Sequence, residues 1–157
     1  MASPQGEGVI VTARKLAHAS PRRPRQADLR RSISTAYYAL FNAVAQDAAD
    51  VLVGTGTLRA SRTWGQTYRA VEHGFAKNAC REAPRHPFPP GIQVCADAFV
   101  RLQEIRHQAD YDPEARFKRV DAINWVADAE AAIAGLRSAP RADRRAFAIH
   151  ILLKKRP

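Results

Sequence analysis

A guanidinium, a carboxylate and a phenol lie close together near the end of one predicted helix. In "FVRLQEIRHQADYDP", positions 99–113, they are Arg106, Asp110 and Tyr111. An arginine presents a rigid fork of N–H donors that matches a phosphate group. The cluster therefore predicts a site for a phosphate-like anion. The alternative is an ion pair that only completes the helix, because Asp110 is four residues after Arg106 and faces nearly the same side.

The helix that carries this cluster is amphipathic, and its apolar stripe leads to Arg106. The stripe contains Ile92, Cys95, Phe99 and Leu102. Steps of three or four residues continue it to Arg106, so we expect the guanidinium to face inward, toward a polar hollow. The helix is expected to end at Asp112, because the residue before Pro113 is pushed out of the α region.

A second helix, predicted over residues 26–54, supplies further candidates. Its buried stripe runs through Leu29, Ile33, Tyr37, Leu40, Val44, Ala48 and Val51. We expect Tyr37 to pack in the core, with a hydroxyl that reaches the Arg106 cluster as the functional alternative. Arg30 and Arg31 stand one helical turn before Ile33 and Ser34, and they either line the same site in a dimer or are ordinary solvated charges.

No metal or cofactor is expected. The cysteines Cys80 and Cys95 have no CxxC spacing, and they are predicted to be buried thiols rather than zinc ligands or a disulfide. The histidines outside the cluster lack the i, i+4 pairing of a metal site and are predicted to lie on the surface or in loops: His18, His73, His86 and His150. No GxGxxG, Walker-type or GxSxG sequence occurs, which argues against dehydrogenase, ATPase and serine-hydrolase functions.

The charge balance favours polyanionic partners. The 157 residues contain 25 Lys and Arg against 15 Asp and Glu, a net charge of +10. Such a chain is attracted to nucleic acid first and to an anionic membrane surface second, although a generally basic solvated surface is the simpler interpretation. Neither a long apolar run nor a secretion signal is present, so we expect a cytoplasmic protein of one domain.

The remaining helices are less clearly marked. One is predicted over residues 7–18, and a weaker one over 60–80 carries Trp64, Tyr68 or Val71, and Phe75. The cluster of prolines at 83–91 is predicted to be non-helical. The last helix follows Pro113 and ends between Gly135 and Pro140. Its expected buried side consists of Phe117, Val120, Ile123 or Asn124, Ala127, Ala131 and Ala134.

These patterns predict an all-α protein, an up-and-down bundle of four to five helices. Residues 1–25 form a short helix and a basic Pro/Arg linker, residues 26–137 the bundle, and residues 138–157 a basic tail of unknown structure. Within that tail, "AFAIHILL" is compatible with a helical turn, a strand or an exchanged segment.

Two segments resemble a known family. "RRSISTAYYALFNAV" at 30–44 and "LQEIRHQADYD" at 102–112 are similar, in order and separation, to the paired signatures of HEPN-domain proteins, the higher eukaryotes and prokaryotes nucleotide-binding superfamily. The resemblance covers roughly residues 26–136. It implies an all-helical bundle that usually dimerises around a polar cleft. Many relatives are metal-independent endoribonucleases, often toxins beside a nucleotidyltransferase or another antitoxin.

The ribonuclease signature of that family, an arginine followed after four to six residues by a histidine, is altered here. From Arg106 the corresponding residue is Tyr111, a poor base at neutral pH because a phenol has a pKa of about 10. The alternative register pairs Arg101 with His107, which lie about 120° out of alignment in a regular helix. The sequence therefore predicts a degenerate nuclease site, with Arg101, Arg106 and His107 as the candidates for any catalysis.

The resulting functional hypothesis is a homodimer that binds RNA or a nucleotide-like anion at its cleft, within a toxin–antitoxin or defence system. The expected binding residues are Arg106, Asp110, Tyr111, Arg31 and Tyr37. Two alternatives remain: an active metal-independent endoribonuclease toxin, and a non-catalytic adaptor that pairs with a nucleotidyltransferase.

Overall fold

The computed structural model describes residues 5–157, and within them every regular element is helical. The seven α-helices are α1 Gln5–Ala17, α2 Gln26–Leu52, α3 Arg62–Ala70, α4 His73–Glu82, α5 Pro90–Tyr111, α6 Arg119–Ser138 and α7 Arg141–Leu152. Two 3₁₀ segments, Gly56–Ala60 and Ala83–Arg85, lie between them. The all-α prediction is confirmed, and the expected number of four to five helices was too low.

Helix α2 is the central element, because it packs against α1, α3, α5, α6 and α7. All seven residues of its predicted stripe are buried. Neighbours approach from several sides, so small residues outside that stripe are buried as well, including Ala36, Ala39, Ala43, Ala45 and Ala49. The residues that project from α2 are therefore held by a well-packed helix.

The helix predicted over residues 60–80 is two helices. Val71 and Glu72 have extended backbone angles, with ψ of 115° and 133°, and they separate α3 from α4. Val71 is buried in the core at this corner. The bend lets α4 pack against α5 and α7, and it places His73 at the first position of α4.

Helix α5 ends where the sequence predicted. Its last residue is Tyr111, and Asp112 has extended angles. The four apolar stripe residues before Arg106 are fully buried. The prediction that residues 83–91 are non-helical was partly wrong. Ala83–Arg85 form a 3₁₀ turn, and Pro90 is the first residue of α5. Proline is tolerated there because the first N–H groups of a helix have no partner within the helix.

The predicted buried side of the last bundle helix was wrong. Helix α6 begins only at Arg119, so Phe117 lies in the loop before it, although Phe117 is buried. Val120 is 55% exposed and Ile123 is 38% exposed. The residues that α6 buries are Ala122, Val126, Ala129, Ala132, Ile133 and Leu136. An alanine-rich helix offers more than one apolar stripe, and contacts with α1, α2 and α5 select among them.

The tail contains a helix, α7, and no strand, so the helical alternative for its secondary structure is confirmed. In α7 the inward residues are Phe147, Ala148 and Ile151, and the helix packs against α2 and α4. Arg144 holds it through Nη1, which donates a 2.5 Å hydrogen bond to Asp47 of α2.

Both cysteines are free and buried, as predicted. Burial raises the pKa of the Cys80 thiol to about 12 and that of Cys95 well above its usual value. Among residues 5–157, no helix combines the length and the apolar character needed to cross a bilayer.

Candidate functional site

Arg106 lies one turn before the end of α5, where α5 meets α2. Its Nη2 donates a 2.8 Å hydrogen bond to the Tyr38 hydroxyl, and its Nε is 2.9 Å from Asp110 Oδ2. The Nε–H does not point at this oxygen, so the contact with Asp110 is a close charge pair rather than a hydrogen bond. The side chain is 17% exposed. The guanidinium is thus largely enclosed while part of it still meets solvent.

Three tyrosine rings surround the guanidinium. Its central carbon lies 5.3 Å from the ring centroid of Tyr38, 5.6 Å from that of Tyr37 and 6.0 Å from that of Tyr111. Cations within about 6 Å of a ring centroid are stabilised by the ring quadrupole. The rings hold the cation without using its N–H donors, and Nη1 contacts no acceptor among residues 5–157. A donor of Arg106 therefore stays available to a ligand.

Asp110 connects the end of α5 to α2. Its Oδ2 accepts a long hydrogen bond of 3.3 Å from the Ser34 hydroxyl, and its side chain is 27% exposed. The carboxylate offsets part of the Arg106 charge, as the ion-pair alternative expected. Asp112, by contrast, is used in the following turn, where it accepts the backbone N–H groups of Glu114 and Ala115.

His73 belongs to the site, and sequence reasoning missed it. Its Nδ1 is 2.5 Å from the Tyr37 hydroxyl, and its ring stacks on Phe41 at a centroid distance of 3.9 Å. The hydroxyl of Tyr37 therefore reaches His73, and the hydroxyl that binds Arg106 is that of Tyr38. No sequence signal pointed to His73, because it depends on the bend between α3 and α4.

The electrostatics of the site favour one tautomer of His73. Burial raises the pKa of Tyr37 well above its usual value, so this phenol keeps its proton. Burial, together with the positive charge of Arg106, lowers the pKa of His73, so the imidazole is neutral at pH 7. A protonated, buried phenol donates to Nδ1, and the imidazole then carries its own proton on Nε2. His73 thus carries an N–H donor at Nε2, on the side of the ring away from the Tyr37 hydroxyl.

The other residues of the predicted nuclease register do not join this cluster. Arg101 forms ion pairs with Asp97 at 2.8 Å and with Asp128 of α6 at 3.1 Å. His107 is exposed and contacts the ring of Tyr111, which is itself 65% exposed. Because α5 is unbroken through Tyr111, Arg101 and His107 keep the angular separation of a regular helix.

Arg30 and Arg31 have different surroundings. Arg30 closes the end of α5, donating to the carbonyl oxygens of Ala109 at 2.9 Å and Ala115 at 2.5 Å. Arg31 is exposed, without a protein partner among residues 5–157. It precedes Tyr38 by two helical turns and lies on the same face of α2.

In the described part of the chain, no three His, Cys, Asp or Glu side chains are grouped to hold a metal ion. The chemistry of the site is that of hydrogen-bond donors: a guanidinium and a neutral imidazole beside a phenol, with one carboxylate in competition. Comparison with protein-family models, with curated proteins and with solved structures finds no match.

Proposed function

We propose that the Arg106 site binds the phosphate of RNA or of a nucleotide-like ligand. The observation that carries this proposal is the state of the guanidinium, which is enclosed by three tyrosine rings and still has Nη1 available. The Nε2–H of His73 supplies a second donor. Charge-assisted hydrogen bonds from such donors to phosphate are stronger than neutral ones. The net charge of +10 adds a general attraction to polyanions.

Asp110 sets the strength of this binding. A ligand phosphate competes with the carboxylate for the guanidinium, so affinity is moderate and selects ligands that make further contacts. The resemblance to HEPN-domain proteins adds that the site belongs to a dimer cleft, in a toxin–antitoxin or defence system. The exposed rings of Tyr38 and Tyr111 beside Arg106 are the surface that we expect a second subunit to approach.

The direct test compares Arg106→Ala and Asp110→Asn with the wild type. Titration of AMP, followed by NMR or calorimetry at low salt, should show at least tenfold weaker binding for Arg106→Ala, since hydrogen bonds to charged groups contribute about 1.5–3 kcal/mol. Asp110→Asn should bind AMP more tightly, because it removes the competing negative charge.

The matched control is Arg101→Ala, on the same helix. It breaks the exposed ion pairs with Asp97 and Asp128, which are worth at most about 1 kcal/mol each, and AMP affinity should not change. Equal AMP binding by wild type, Arg106→Ala and Asp110→Asn would refute the proposal. If Arg106→Ala unfolds, Asp110→Asn still decides, and an unchanged affinity in that variant leaves the ion pair as a purely structural device.

RNA cleavage is the second candidate function, favoured by the position of His73. An imidazole and a guanidinium flanking one phosphate are the groups that metal-free RNA cleavage requires. For His73 to accept the proton of a 2′-hydroxyl at Nε2, its own proton must move to Nδ1, against the bond from Tyr37. The hydrogen bond of Tyr37 therefore favours binding over cleavage.

A further inference from the structure

Two loops are held side by side at the end of the molecule where α2 begins. The side-chain amide of Gln26 exchanges two hydrogen bonds with the backbone of Phe117, at 2.8 and 3.0 Å. The Arg119 guanidinium donates to the carbonyl of Ser20. These bonds join the loop between α1 and α2, residues 18–25, to the loop between α5 and α6, residues 112–118. We call this surface the basic end.

The basic end carries a concentration of cations without protein partners. Together with the first residues of α2 and α6, the two loops (residues 18–31 and 112–121) contain eight Lys and Arg against four Asp and Glu. Three of the eight, Arg30, Arg116 and Arg119, donate to backbone carbonyls. Arg22, Arg23 and Arg25 are exposed and contact no acceptor among residues 5–157. Two prolines, Pro21 and Pro24, stand among them and restrict the backbone. The three guanidinium groups are therefore displayed on a stiffened loop, which lowers the entropic cost of binding.

Two of the four carboxylates are already engaged within the loops. Asp112 accepts two backbone N–H groups, and Asp121 accepts the backbone N–H of Lys118 at 2.7 Å. These bonds direct both side chains to the protein backbone. Asp28 and Glu114 are the two other carboxylates, and the exposed cations Arg22, Arg23 and Arg25 outnumber them at this surface.

The basic end is continuous with the Arg106 site along α2. Tyr38, Ser34 and Arg30 lie at successive turns and contact Arg106, Asp110 and the end of α5 respectively. Gln26, one turn further, binds the second loop. From Tyr38 to Gln26 the helix rises about 18 Å, the length of about five nucleotides stacked at ~3.4 Å each. Exposed Arg31 lies between the two ends of this path.

We propose that the ligand of this protein is a single-stranded RNA, with one phosphate at Arg106 and the adjoining backbone bound by Arg22, Arg23 and Arg25. This inference rests on the proposed function and specifies its substrate class. The Arg106 site engages a single nucleotide, whereas the basic end engages only a strand long enough to reach it. Binding at the basic end is a contact with phosphates and does not select sequence.

The test uses the full chain and two probes, AMP and a 12-nucleotide single-stranded RNA. The variant Arg22→Gln/Arg23→Gln/Arg25→Gln should bind AMP like the wild type and the RNA at least tenfold more weakly. Its plot of log affinity against log salt should be shallower by about 2, because three phosphate contacts on a single strand contribute about 0.7 each. Thermal unfolding checks that the exposed loop substitutions leave the fold intact.

The matched control is Arg141→Gln/Lys154→Gln/Arg156→Gln, which removes the same charge from exposed positions elsewhere. Arg141 lies one turn before Arg144, whose partner Asp47 is about 30 Å of helix from Gln26. This control should keep the steep salt dependence.

Equal effects of the two triple variants would overturn the inference in favour of a general charge effect. Loss of binding to phosphatidylserine vesicles, with RNA binding unchanged, would overturn it in favour of a membrane surface. Failure of the proposed function is distinguishable from failure of this inference. In that case AMP affinity is the same in the wild type, Arg106→Ala and Asp110→Asn, and Arg106→Ala leaves RNA affinity unchanged whatever the loop variant does.

Discussion

Arg106 occupies the position where the stripe of α5 would place an apolar side chain against α2. The structure accommodates a cation there because tyrosine rings, rather than aliphatic groups, form the facing surface, and because Asp110 lies 2.9 Å from Nε. Only part of this arrangement involves residues close to Arg106 in the chain. The i, i+4 spacing predicts Asp110, whereas Tyr38 and His73 reach the site from other helices.

At the residue scale, His73 should make stability depend on pH. The pKa of His73 is lowered in the folded state. Below about pH 6.5 the imidazole is therefore protonated in the unfolded chain more readily than in the folded chain. Stability therefore falls as the pH decreases through this range. His73→Gln should lose less stability than the wild type between pH 7.5 and 5.5, measured by urea unfolding. Part of the pH dependence of stability will remain in this variant, because burial also lowers the pKa of His150.

The control for this prediction is His18→Gln, at an exposed position. His18→Gln should lose as much stability as the wild type between pH 7.5 and 5.5. If His73→Gln also loses that much, His73 is not a source of the pH dependence. The His73→Gln protein also decides the second candidate function. RNA cleavage by the wild type that disappears in this variant would favour catalysis, whereas AMP binding that weakens without any cleavage would favour the donor role.

At the scale of elements, the backbones of α5 and α6 touch at two glycines. A Cβ on Gly91 would lie 2.4 Å from the carbonyl oxygen of Gly135. Backbone atoms cannot move aside as a flexible side chain does, so Gly91→Ala must push the helices apart. We expect a loss of roughly 1–3 kcal/mol in the free energy of unfolding, the usual cost of overpacking, measured by urea denaturation.

Gly8 in α1 is the matched control, because a Cβ there meets nothing within 4 Å among residues 5–157. Gly8→Ala should stabilise the protein by about 0.5–1 kcal/mol through helix propensity alone. A stabilising effect of Gly91→Ala of the same size would show that α5 and α6 do not approach so closely.

At the scale of the whole molecule, one ion pair ties the last helix to the central one. Arg144 Nη1 is 2.5 Å from Asp47 Oδ1, and Asp47 is 8% exposed. Burial raises the pKa of Asp47, and the hydrogen bond from Arg144 opposes that rise. Arg144→Ala removes the hydrogen-bonded cation and leaves Asp47 only the weaker attraction of Arg137. We expect a loss of roughly 2–3 kcal/mol in the free energy of unfolding at pH 7, below that of a fully buried pair.

This loss should shrink at pH 4. With Arg144 removed, the pKa of Asp47 rises further, so the folded chain keeps a proton that the unfolded chain releases above about pH 3.9. Stability of the variant then falls as the pH increases. Urea unfolding at pH 4 and pH 7 measures the difference, with exposed Arg141→Ala as the control. If the variant is less stable than the wild type by the same free energy at pH 4 and pH 7, the carboxylate of Asp47 is not the cause of the loss.

The sequence by itself determined the helical class, the buried stripe of α2, and the apolar stripe and end of α5. These features follow from spacing along the chain and from the steric effect of Pro113, both of which act locally. The position of Arg106 at the end of the α5 stripe also follows from spacing along the chain.

Only the tertiary structure decided which side chains gather around Arg106 and which face α6 buries. His73 enters the site through the bend at Val71 and Glu72, and Tyr38 takes the contact that the sequence offered to Tyr37. On α6, several alanine stripes have similar hydrophobicity, and the neighbouring helices choose between them. In each case the contacts that stabilise the arrangement join residues far apart in the chain. The periodicity of one helix carries no information about such contacts.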